Sequence, residues 1–536
     1  MFRVRSQGKG LRDIPFTVLI KSEAQGVVGA DPCVCPADRV FRVRKWRSRD
    51  LGIILTPHSR QQITLLLRLF PYKRQVIILY DDIAAISTPP GEGGIAIIRL
   101  SGSGVIEKAA QIFKTRRSGI DIRKKEGYSL ILGWIMDADG ETVDEVLLAL
   151  MRAPRSYTGE DVVEIHCHGG ILPARRCLEA VMRQGTRIAE SGEFTRRAFL
   201  NGRLDASQAE AVIEIIRAKS DKSMKLALKQ LVGRNSEYIH SLEDRLLELN
   251  AMVEASLDFP EEVGDLEYNR AEAIMLEAMD VIDRLIRAGK RADIYREGIA
   301  IAICGKPNVG KSSLLNTLLR KDRAIVTSIP GTTRDVIEEQ LNIKGIPVRL
   351  MDTAGIHVTS DVVEKIGVEK SQEVIREADL VLFLLDAGDG ITSDDLNIFR
   401  SIENQNLIIL INKEDLEEKN ITSREMEQYF PGVKVIKVSA KEEQGIEEVE
   451  DSIEDMVLGG ELQSDDLEIM INLRQRETLL RARQHLQDAL RELDQIPLDC
   501  LGVDIWGARE ALGEITGKNL REEVLDRMFS DFCIGK

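Results

Sequence analysis

Apolar residues between residue 82 and about residue 200 follow two patterns. Short apolar runs typical of strands cover residues 95–98, 146–150 and 162–166. Helix-like periods cover residues 103–113 and 171–184. Because strands and helices alternate irregularly here, this region of the chain is predicted to form an α+β domain.

Two stretches of helical periodicity flank a different pattern. Residues 203–289 are rich in Ala, Leu, Glu and Arg, with one Pro-and-acid break at 258–264. Helical periodicity returns after about residue 461 and continues to the end. Between them lie β-branched apolar runs, which suit a parallel sheet covered on both faces. These runs are residues 299–303, 348–351, 380–385, 407–411 and 433–438. We therefore predict an α/β module inserted into one discontinuous helical domain.

The first eighty residues differ from the rest of the chain. They hold 15 Lys or Arg against 5 Asp or Glu, whereas the whole chain of 536 residues has a net charge of −15. A mis-set translation start is the preferred interpretation of this segment on composition, and a transit peptide is the alternative. Cys33 and Cys35 lack a second half-site with zinc spacing.

Composition sets limits on the function. With 43% hydrophobic and 30% charged residues, the chain is not wholly disordered. No apolar run approaches the roughly 18 residues of a membrane helix, so no membrane association is predicted. Seven scattered cysteines indicate a reducing compartment, and we expect a cytoplasmic protein. Any RNA contact requires a local basic patch, because the net charge is acidic.

A phosphate-binding loop occupies residues 305–312, between a predicted strand and a predicted helix over residues 313–319. Its glycines let backbone N–H groups face phosphates at a helix N-terminus. Lys311 is placed to bridge the outer phosphates, and the Ser312 hydroxyl to bind Mg²⁺.

Three further elements follow in the order of a guanine-nucleotide switch. Thr333 lies in a polar loop suited to the γ-phosphate and Mg²⁺, and Asp352 ends a predicted strand where a Mg²⁺-associated carboxylate belongs. Asp415 follows the predicted strand of residues 407–411. Its carboxylate can accept two hydrogen bonds from guanine that adenine cannot donate. Ser439 begins a Ser-Ala-Lys segment that completes the base pocket. Together with the phosphate-binding loop, these elements predict that the chain binds GTP rather than ATP.

Hydrolysis needs a group that positions the attacking water. Ile356 occupies the place where Ras-like proteins carry a Gln, and it cannot do so. Asp361 and Glu364 in the following loop are the candidate carboxylates, with a solvated acidic residue as the alternative for either.

These residues resemble the MnmE (TrmE) family of tRNA-modification GTPases over about residues 82–536. Besides the GTPase motifs, the resemblance rests on residues 88–91 with Arg99, residues 157–164, 168–170, 192–194 and 201–205, and the C-terminal Phe-Cys-Ile-Gly-Lys of residues 532–536. It implies a multidomain fold with an α+β folate-binding domain that also dimerises, a discontinuous all-α helical domain, and an inserted Ras-like α/β G domain. The corresponding boundaries are 1–80 for the N-terminal extension, 81–200 for the α+β domain, 201–296 for the first helical segment, 297–460 for the G domain, and 461–536 for the second helical segment.

The family pattern also assigns nucleotide and metal ligands. Catalysis is assigned to Glu364, which positions the water, with Lys311 and Thr333. Mg²⁺ is assigned to Ser312 and Thr333, and K⁺ to Asn308, Thr327, Ile329 and Thr332. A fixed monovalent cation beside the phosphates can replace an arginine finger. The full set of expected GTP-binding residues is Asn308, Val309, Gly310, Lys311, Ser312, Ser313, Thr327, Ser328, Ile329, Pro330, Gly331, Thr332, Thr333, Asp352, Thr353, Ala354, Gly355, Asn412, Lys413, Asp415, Ser439, Ala440 and Lys441.

The resemblance implies a homodimer that forms a heterotetramer with an FAD-containing MnmG-like flavoprotein. The pair would build a 5-carboxymethylaminomethyl or aminomethyl group on the wobble uridine of certain tRNAs. A tetrahydrofolate derivative, in the 5-formyl or 5,10-methylene form, would supply the carbon. Arg99, Glu164, Arg203 and Lys536 would contact the folate, since basic groups suit its glutamate and Glu suits the pterin donors. Arg203 stands where Lys also occurs in the family, and Glu92 and His357 depart from commonly basic positions.

Two cysteine motifs have alternative interpretations. His166, Cys167 and His168 resemble a metal cluster, but on a strand Cys167 points away from both histidines, so packing or lining of the folate site is favoured. Cys533 is either a reactive thiol or a small residue that positions Lys536.

Two other functions compete with the family interpretation. One is a ribosome-assembly GTPase whose flanking domains only bind RNA, and the other is a dimeric scaffold whose nucleotide state regulates a partner. Binding of a reduced folate would separate the family interpretation from the ribosome-assembly GTPase, whereas potassium-dependent GTP hydrolysis would not.

Overall fold

The computed structural model describes residues 81–321, 340–352, 376–402, 405–459, 469–495 and 497–536. All of them belong to one compact unit, Asp81–Lys536. None of the helices in these ranges is long and apolar enough to cross a membrane.

The N-terminal region is a seven-stranded sheet with helices on one face. Its strands are β1 (Ile83–Ile86), β2 (Ile95–Ser101), β3 (Phe113–Thr115), β4 (Ser129–Met136), β5 (Thr142–Met151), β6 (Val162–His168) and β7 (Arg187–Ile188). The order is β3-β4-β5-β6-β2-β1-β7, antiparallel except for the β1–β7 pair. Helices α1 (Val105–Ile112) and α2 (Ile171–Met182) bury their apolar faces on the sheet. The predicted α+β arrangement is confirmed.

Nine helices follow the sheet or close the chain within the described ranges. They are α3 (Glu193–Leu200), α4 (Ala206–Arg217), α5 (Asp221–Leu231), α6 (Arg234–Asp258), α7 (Pro260–Val263), α8 (Tyr268–Glu297), α13 (Leu473–Glu492), α14 (Leu498–Thr516) and α15 (Glu522–Ser530). Apolar side chains of α6, α8, α13 and α14 form one core. The two helical stretches therefore fold together across the insertion, as the periodicity predicts.

A buried polar cluster also joins the two helical stretches. The Arg474 guanidinium on α13 donates to both carboxylate oxygens of Glu210 on α4, at 2.7 and 2.9 Å. The Gln475 amide donates to the same carboxylate at 2.6 Å. These groups are shielded from solvent, so removing either Arg474 or Glu210 would leave the other unpaired in the interior. That change would lower the free energy of unfolding by more than the loss of an exposed ion pair does.

The inserted module is a six-stranded sheet covered on both faces. Its strands are β8 (Ile299–Cys304), β9 (Gln340–Ile343), β10 (Ile346–Asp352), β11 (Leu380–Asp386), β12 (Leu407–Asn412) and β13 (Lys434–Lys437). The order is β13-β12-β11-β8-β10-β9, parallel except for the edge strand β9. Helices α9 (Lys311–Lys321) and α12 (Ile446–Leu458) pack on one face, and α10 (Ser393–Ile402) and α11 (Ser423–Tyr429) on the other. All five strands predicted here are present.

The start of α3 is fixed by a cluster of charges. Burial alone would raise the pKa of the Glu193 carboxyl, but hydrogen bonds from Arg187, from the Glu190 N–H and from Arg197 outweigh burial and lower the pKa to about 2. The fully buried Arg197 also donates to Glu160 at 3.0 Å. The cluster thereby ties α3 to the sheet.

Replacing Glu193 with Gln should lower the free energy of unfolding at pH 7 by about 2 kcal/mol, because Arg187 and Arg197 lose their counter-charge. The folded-state pKa lies below the ordinary 4.5, so this stabilisation is present above pH 4.5 and is lost as pH falls toward about 2. Urea unfolding at several pH values measures it. The exposed Glu179→Gln on α2 is the control. A stability difference that stayed constant down to pH 3 would contradict this assignment.

Candidate functional site

The phosphate-binding loop connects β8 at the centre of the sheet to the start of α9. Three of its residues have a positive φ, Gly305 with 145°, Asn308 with 66° and Gly310 with 99°. A Cβ atom at Gly310 would lie 2.1 Å from the Asn412 amide nitrogen, so only glycine fits there. The turn therefore brings the loop backbone close to the end of β12, two strands away in the sheet.

Two lysines hold the loop from different sides. The Lys311 ammonium donates to the carbonyl oxygens of Gly305 and Lys306, both at 2.8 Å, so it lies over the loop. Lys306 reaches outward to the buried Asp395 carboxylate at 3.0 Å and to Thr392 at 3.1 Å. Sequence reasoning did not identify the Lys306–Asp395 pair, because nothing in the local pattern of α10 marks it.

Asn412 joins the loop to the predicted base pocket. Its amide nitrogen donates to the Val309 carbonyl at 2.8 Å, and its amide oxygen accepts from the Ala440 N–H at 3.0 Å. The hydroxyl of Thr317 on α9 donates to the Ala440 carbonyl at 2.8 Å. Three predicted segments of the site are thus connected by hydrogen bonds.

Asp415 has the environment expected of a base-reading carboxylate. The Ser439 hydroxyl donates to it at 2.6 Å, and this hydrogen bond lowers the pKa of the exposed carboxyl below its usual value. Lys413 forms a separate ion pair of 2.5 Å with the buried Asp386 at the end of β11. An ionised Asp415 can accept two N–H donors from one edge of guanine.

All these groups lie at one edge of the sheet. The loop follows β8, Asp352 ends β10, Asn412 ends β12, and Ser439 follows β13. The strands are parallel, so their carboxyl ends meet at this edge, where ligands bind in open α/β sheets. Ser312 and Ser313 are exposed at the start of α9, and Lys441 lies two residues past Ser439.

The remaining predicted nucleotide and catalytic residues lie outside the described ranges. They are Thr327, Ser328, Ile329, Pro330, Gly331, Thr332, Thr333, Thr353, Ala354, Gly355 and Glu364, with Asp361, Ile356 and His357. Their roles stay predictions.

A second cluster forms on the N-terminal sheet. Arg99 on β2 and Glu164 on β6 are cross-strand partners, with a guanidinium–carboxylate distance of 2.8 Å. The guanidiniums of Arg99 and Arg203 lie 5.3 and 5.0 Å from the centre of the Tyr157 ring. Burial raises the pKa of the Tyr157 hydroxyl, which contacts Thr195 at 2.8 Å. Tyr157 was not among the predicted folate contacts, although it lies in a family motif.

The C-terminal tail runs along this cluster. The Gly535 carbonyl accepts hydrogen bonds from Arg99 at 3.3 Å and from the Ser87 hydroxyl at 3.1 Å. The Lys536 carbonyl accepts from the Phe194 N–H at 3.1 Å. The four residues predicted for folate, Arg99, Glu164, Arg203 and Lys536, are therefore linked through direct contacts, Tyr157 or the tail backbone.

The three consecutive residues His166, Cys167 and His168 do not converge on one point. His166 contacts Glu164 at 3.3 Å, beside Arg99. His168 contacts Asp144 at 2.7 Å, and this hydrogen bond raises the pKa of the imidazole. Cys167 is buried on the opposite face of the strand, as the strand period predicts. Cys533 is exposed, and its carbonyl accepts from the Gly192 N–H at 3.4 Å.

Replacing Asp415 with Asn should weaken GTP binding by about 100-fold, because one hydrogen bond to a charged acceptor is lost and the amide NH2 presents a donor to the 2-amino group of guanine. Affinity for xanthosine triphosphate should rise, since that base presents an oxygen at the matching position. Titration with both nucleotides measures the change. The exposed Glu417→Gln in the same loop is the control. Unchanged GTP affinity in Asp415→Asn would rule out Asp415 as the base reader.

Comparison with known proteins extends over most of the chain. The family model described as the MnmE helical domain matches residues 207–533, and that of the GTP-binding protein TrmE N-terminus matches residues 82–203. The tRNA modification GTPase MnmE of Syntrophomonas wolfei is 68% identical over 456 residues, which are 85% of this chain and 99% of that protein. Those of Desulforamulus reducens and Moorella thermoacetica are 46% and 47% identical over 464 residues, which are 86% of this chain and 100% of each.

A solved structure of an Era variant from Aquifex aeolicus bound to GDP·AlF4⁻ is 29% identical and covers 35% of this chain and 66% of its own, with a TM-score of 0.25. That likeness is too partial to add to the fold described above. The two family models and the 68% identical relative, by contrast, leave one conclusion: the chain belongs to the MnmE family of tRNA modification GTPases.

Proposed function

We propose that this chain is a potassium-dependent GTPase that takes a one-carbon unit from tetrahydrofolate to modify the wobble uridine of certain tRNAs. It acts in the cytoplasm with an MnmG-like flavoprotein that carries FAD, as a heterotetramer. The product is a 5-carboxymethylaminomethyl or aminomethyl group at C5. Membership of the family accounts for GTP hydrolysis and for tRNA as the substrate. The folate, the cations and the homodimer are proposed from the family resemblance, and the chemistry of the residues assigned to them supports the proposal.

The observation that carries the proposal is the cluster around Tyr157. A reduced folate has a pterin with several N–H donors at one end and glutamate carboxylates at the other. Glu164 can accept from the pterin donors, while the guanidiniums of Arg99 and Arg203 suit carboxylates. The Tyr157 ring lies beside both guanidiniums and offers an apolar face. A surface with these groups matches a folate, which has several N–H donors for Glu164 at one end and carboxylates for the guanidiniums at the other. An RNA backbone offers Glu164 only 2′-hydroxyl donors, next to phosphates that a carboxylate repels.

Mg²⁺ and K⁺ would bind beside the nucleotide. Ser312, at the exposed start of α9, offers a hydroxyl oxygen of the kind that Mg²⁺ prefers, and Thr333 would join it. Asn308 would contribute an amide oxygen to K⁺, together with Thr327, Ile329 and Thr332. A bound cation of this kind neutralises charge that develops between the phosphates. Lys311 binds the outer phosphates, and Glu364 orients the attacking water.

An exposed apolar sheet face supports a homodimer formed through the N-terminal domain. Leu130 and Leu132 on β4 are 60% and 38% exposed, and Leu147, the cross-strand neighbour of Leu132 on β5, is 36% exposed. Solvent-exposed leucines in register on neighbouring strands mark a surface suited to burial. A second copy of this sheet is the occupant that a dimer requires.

Isothermal titration with 5-formyl-tetrahydrofolate tests the folate site. The wild type should bind, and Arg99→Ala should bind at least about tenfold more weakly, because a charge-assisted contact is lost. Glu164→Gln should weaken binding similarly. Arg175→Ala, on the exposed face of α2, is the matched control. A wild type that does not bind the folate, while its GTP hydrolysis is intact, would leave a GTPase without this proposed role.

Potassium dependence has its own test at Asn308. Hydrolysis should be faster in K⁺ than in Na⁺ at equal ionic strength. Asn308→Gly keeps a residue that tolerates φ 66° but removes the amide oxygen, so the K⁺ concentration for half-maximal stimulation should rise about tenfold. Nucleotide affinity, measured in parallel, separates cation loss from loop damage. Equal rates in both salts would refute the potassium assignment.

A further inference from the structure

Three side chains from separate elements of the N-terminal domain bring their donor atoms together. The thiols of Cys167 and Cys177 and a carboxylate oxygen of Asp144 all lie within 4.8 Å of one another. Among the residues that the structure describes, no other three histidine, cysteine or acidic side chains bring their ligand atoms within this distance of one another. Neither the nucleotide site nor the cluster around Tyr157 uses these three residues.

The fold explains why they meet. Cys167 is on β6, next to β5, which carries Val146, and both side chains point to the face that α2 covers. Asp144 precedes Val146 by two residues, so it lies on the same face at the end of the sheet. Cys177 is on the buried side of α2. Cys167 and Cys177 are 2% and 0% exposed.

The carboxylate is held in place by a neighbouring residue. The backbone N–H of His168 donates to Asp144 Oδ2 at 2.8 Å, and His168 Nδ1 contacts Asp144 Oδ1 at 2.7 Å. Outer hydrogen bonds of this kind orient the ligands of metal sites. The Asp144 side chain is 13% exposed, which leaves a path for an ion to enter from solvent.

We propose that Cys167, Cys177 and Asp144 bind a thiophilic divalent cation of the Zn²⁺ type, with water as the fourth ligand. Tetrahedral zinc bonded to two thiolates and one carboxylate separates the ligand atoms by about 3.6 to 3.8 Å, given bonds of about 2.1 to 2.3 Å. The observed separations of up to 4.8 Å need to shorten by about 1.2 Å at most. The two thiol protons pass to water on binding. The ion would connect β5, β6 and α2 on the face of the sheet opposite Glu164 and His166.

The simpler alternative is a pair of packed thiols. Cys167 Sγ contacts the Ala96 carbonyl at 3.4 Å, so that thiol has a hydrogen-bond acceptor without any metal. Buried cysteines also pack well as small apolar groups. Packing alone accounts for the two thiols, and the contacts of Asp144 with His168 and the Glu145 N–H orient the carboxylate with or without an ion. What favours an ion is that the carboxylate oxygen and both sulfur atoms lie within 4.8 Å of one another at a partly exposed end of the sheet.

The test is titration of the nucleotide-free, reduced full chain with Co²⁺, followed by displacement with Zn²⁺. All proteins in this test carry Cys33→Ala and Cys35→Ala, so that the other closely spaced pair of cysteines cannot bind cobalt. The protein with only these two changes is called the background protein. One equivalent of Co²⁺ should produce thiolate-to-cobalt charge-transfer absorption, and Zn²⁺ should abolish it. Cys177→Ala should lose the absorption, and Asp144→Asn should bind at least about tenfold more weakly. Cys500→Ala, an exposed cysteine on α14, should behave as the background protein.

Thermal unfolding provides the second measurement. Zn²⁺ should raise the melting temperature of the background protein and leave that of Cys177→Ala unchanged, because only the intact site binds the ion in the folded state. If Cys177→Ala does not fold, Asp144→Asn at the partly exposed edge takes its place. Equal cobalt absorption in Cys177→Ala and the background would overturn the proposal. So would a background protein that forms a Cys167–Cys177 disulfide in air but takes up no cobalt when reduced.

Discussion

The constraint on which the rest of the structure depends is the attachment of the chain's last residues to its N-terminal sheet. The Gly535 carbonyl accepts hydrogen bonds from Arg99 and Ser87, which precede it by more than 400 residues. Gly535 has φ 94°, and a Cβ atom there would lie 2.5 Å from the Ile86 carbonyl, so the approach requires glycine. The tail closes the helical segments onto the sheet and completes the cluster around Tyr157.

The G domain is inserted into this closed frame and shares a core with it. Leu226 on α5 and Tyr295 on α8 pack in the same apolar cluster as strands β8 and β10. Helix α8 also leads directly into β8, the strand that carries the phosphate-binding loop. The strand that carries the loop therefore has packed helices on one side. Helix α8 also packs with α13 and α14 in the helical core. The chain continues from α14 through α15 to the tail that contacts Arg99, so packed elements connect the nucleotide-binding edge of the G domain with the cluster around Tyr157.

The sequence predicts much of this arrangement because the signals are local. Continuous apolar runs marked the parallel strands, and motifs at strand ends marked Lys311, Asn412 and Asp415. Strand β4 was missed, since its exposed leucines remove the alternation expected of a half-buried strand. Cys177 was missed because it lies on another element, ten residues beyond Cys167. Contacts between distant residues, such as Lys306 with Asp395, have no periodic signal and emerge only from the fold.

A crystal structure of the full chain with bound 5-formyl-tetrahydrofolate tests the central claim most directly. We expect the pterin to contact Glu164 and the ligand to lie beside the Tyr157 ring. Residues 533–536 of the C-terminal tail should border the ligand. Ligand density elsewhere on the chain, or a tail detached from Arg99 while folate is bound, would contradict the coupling of the tail to a one-carbon site.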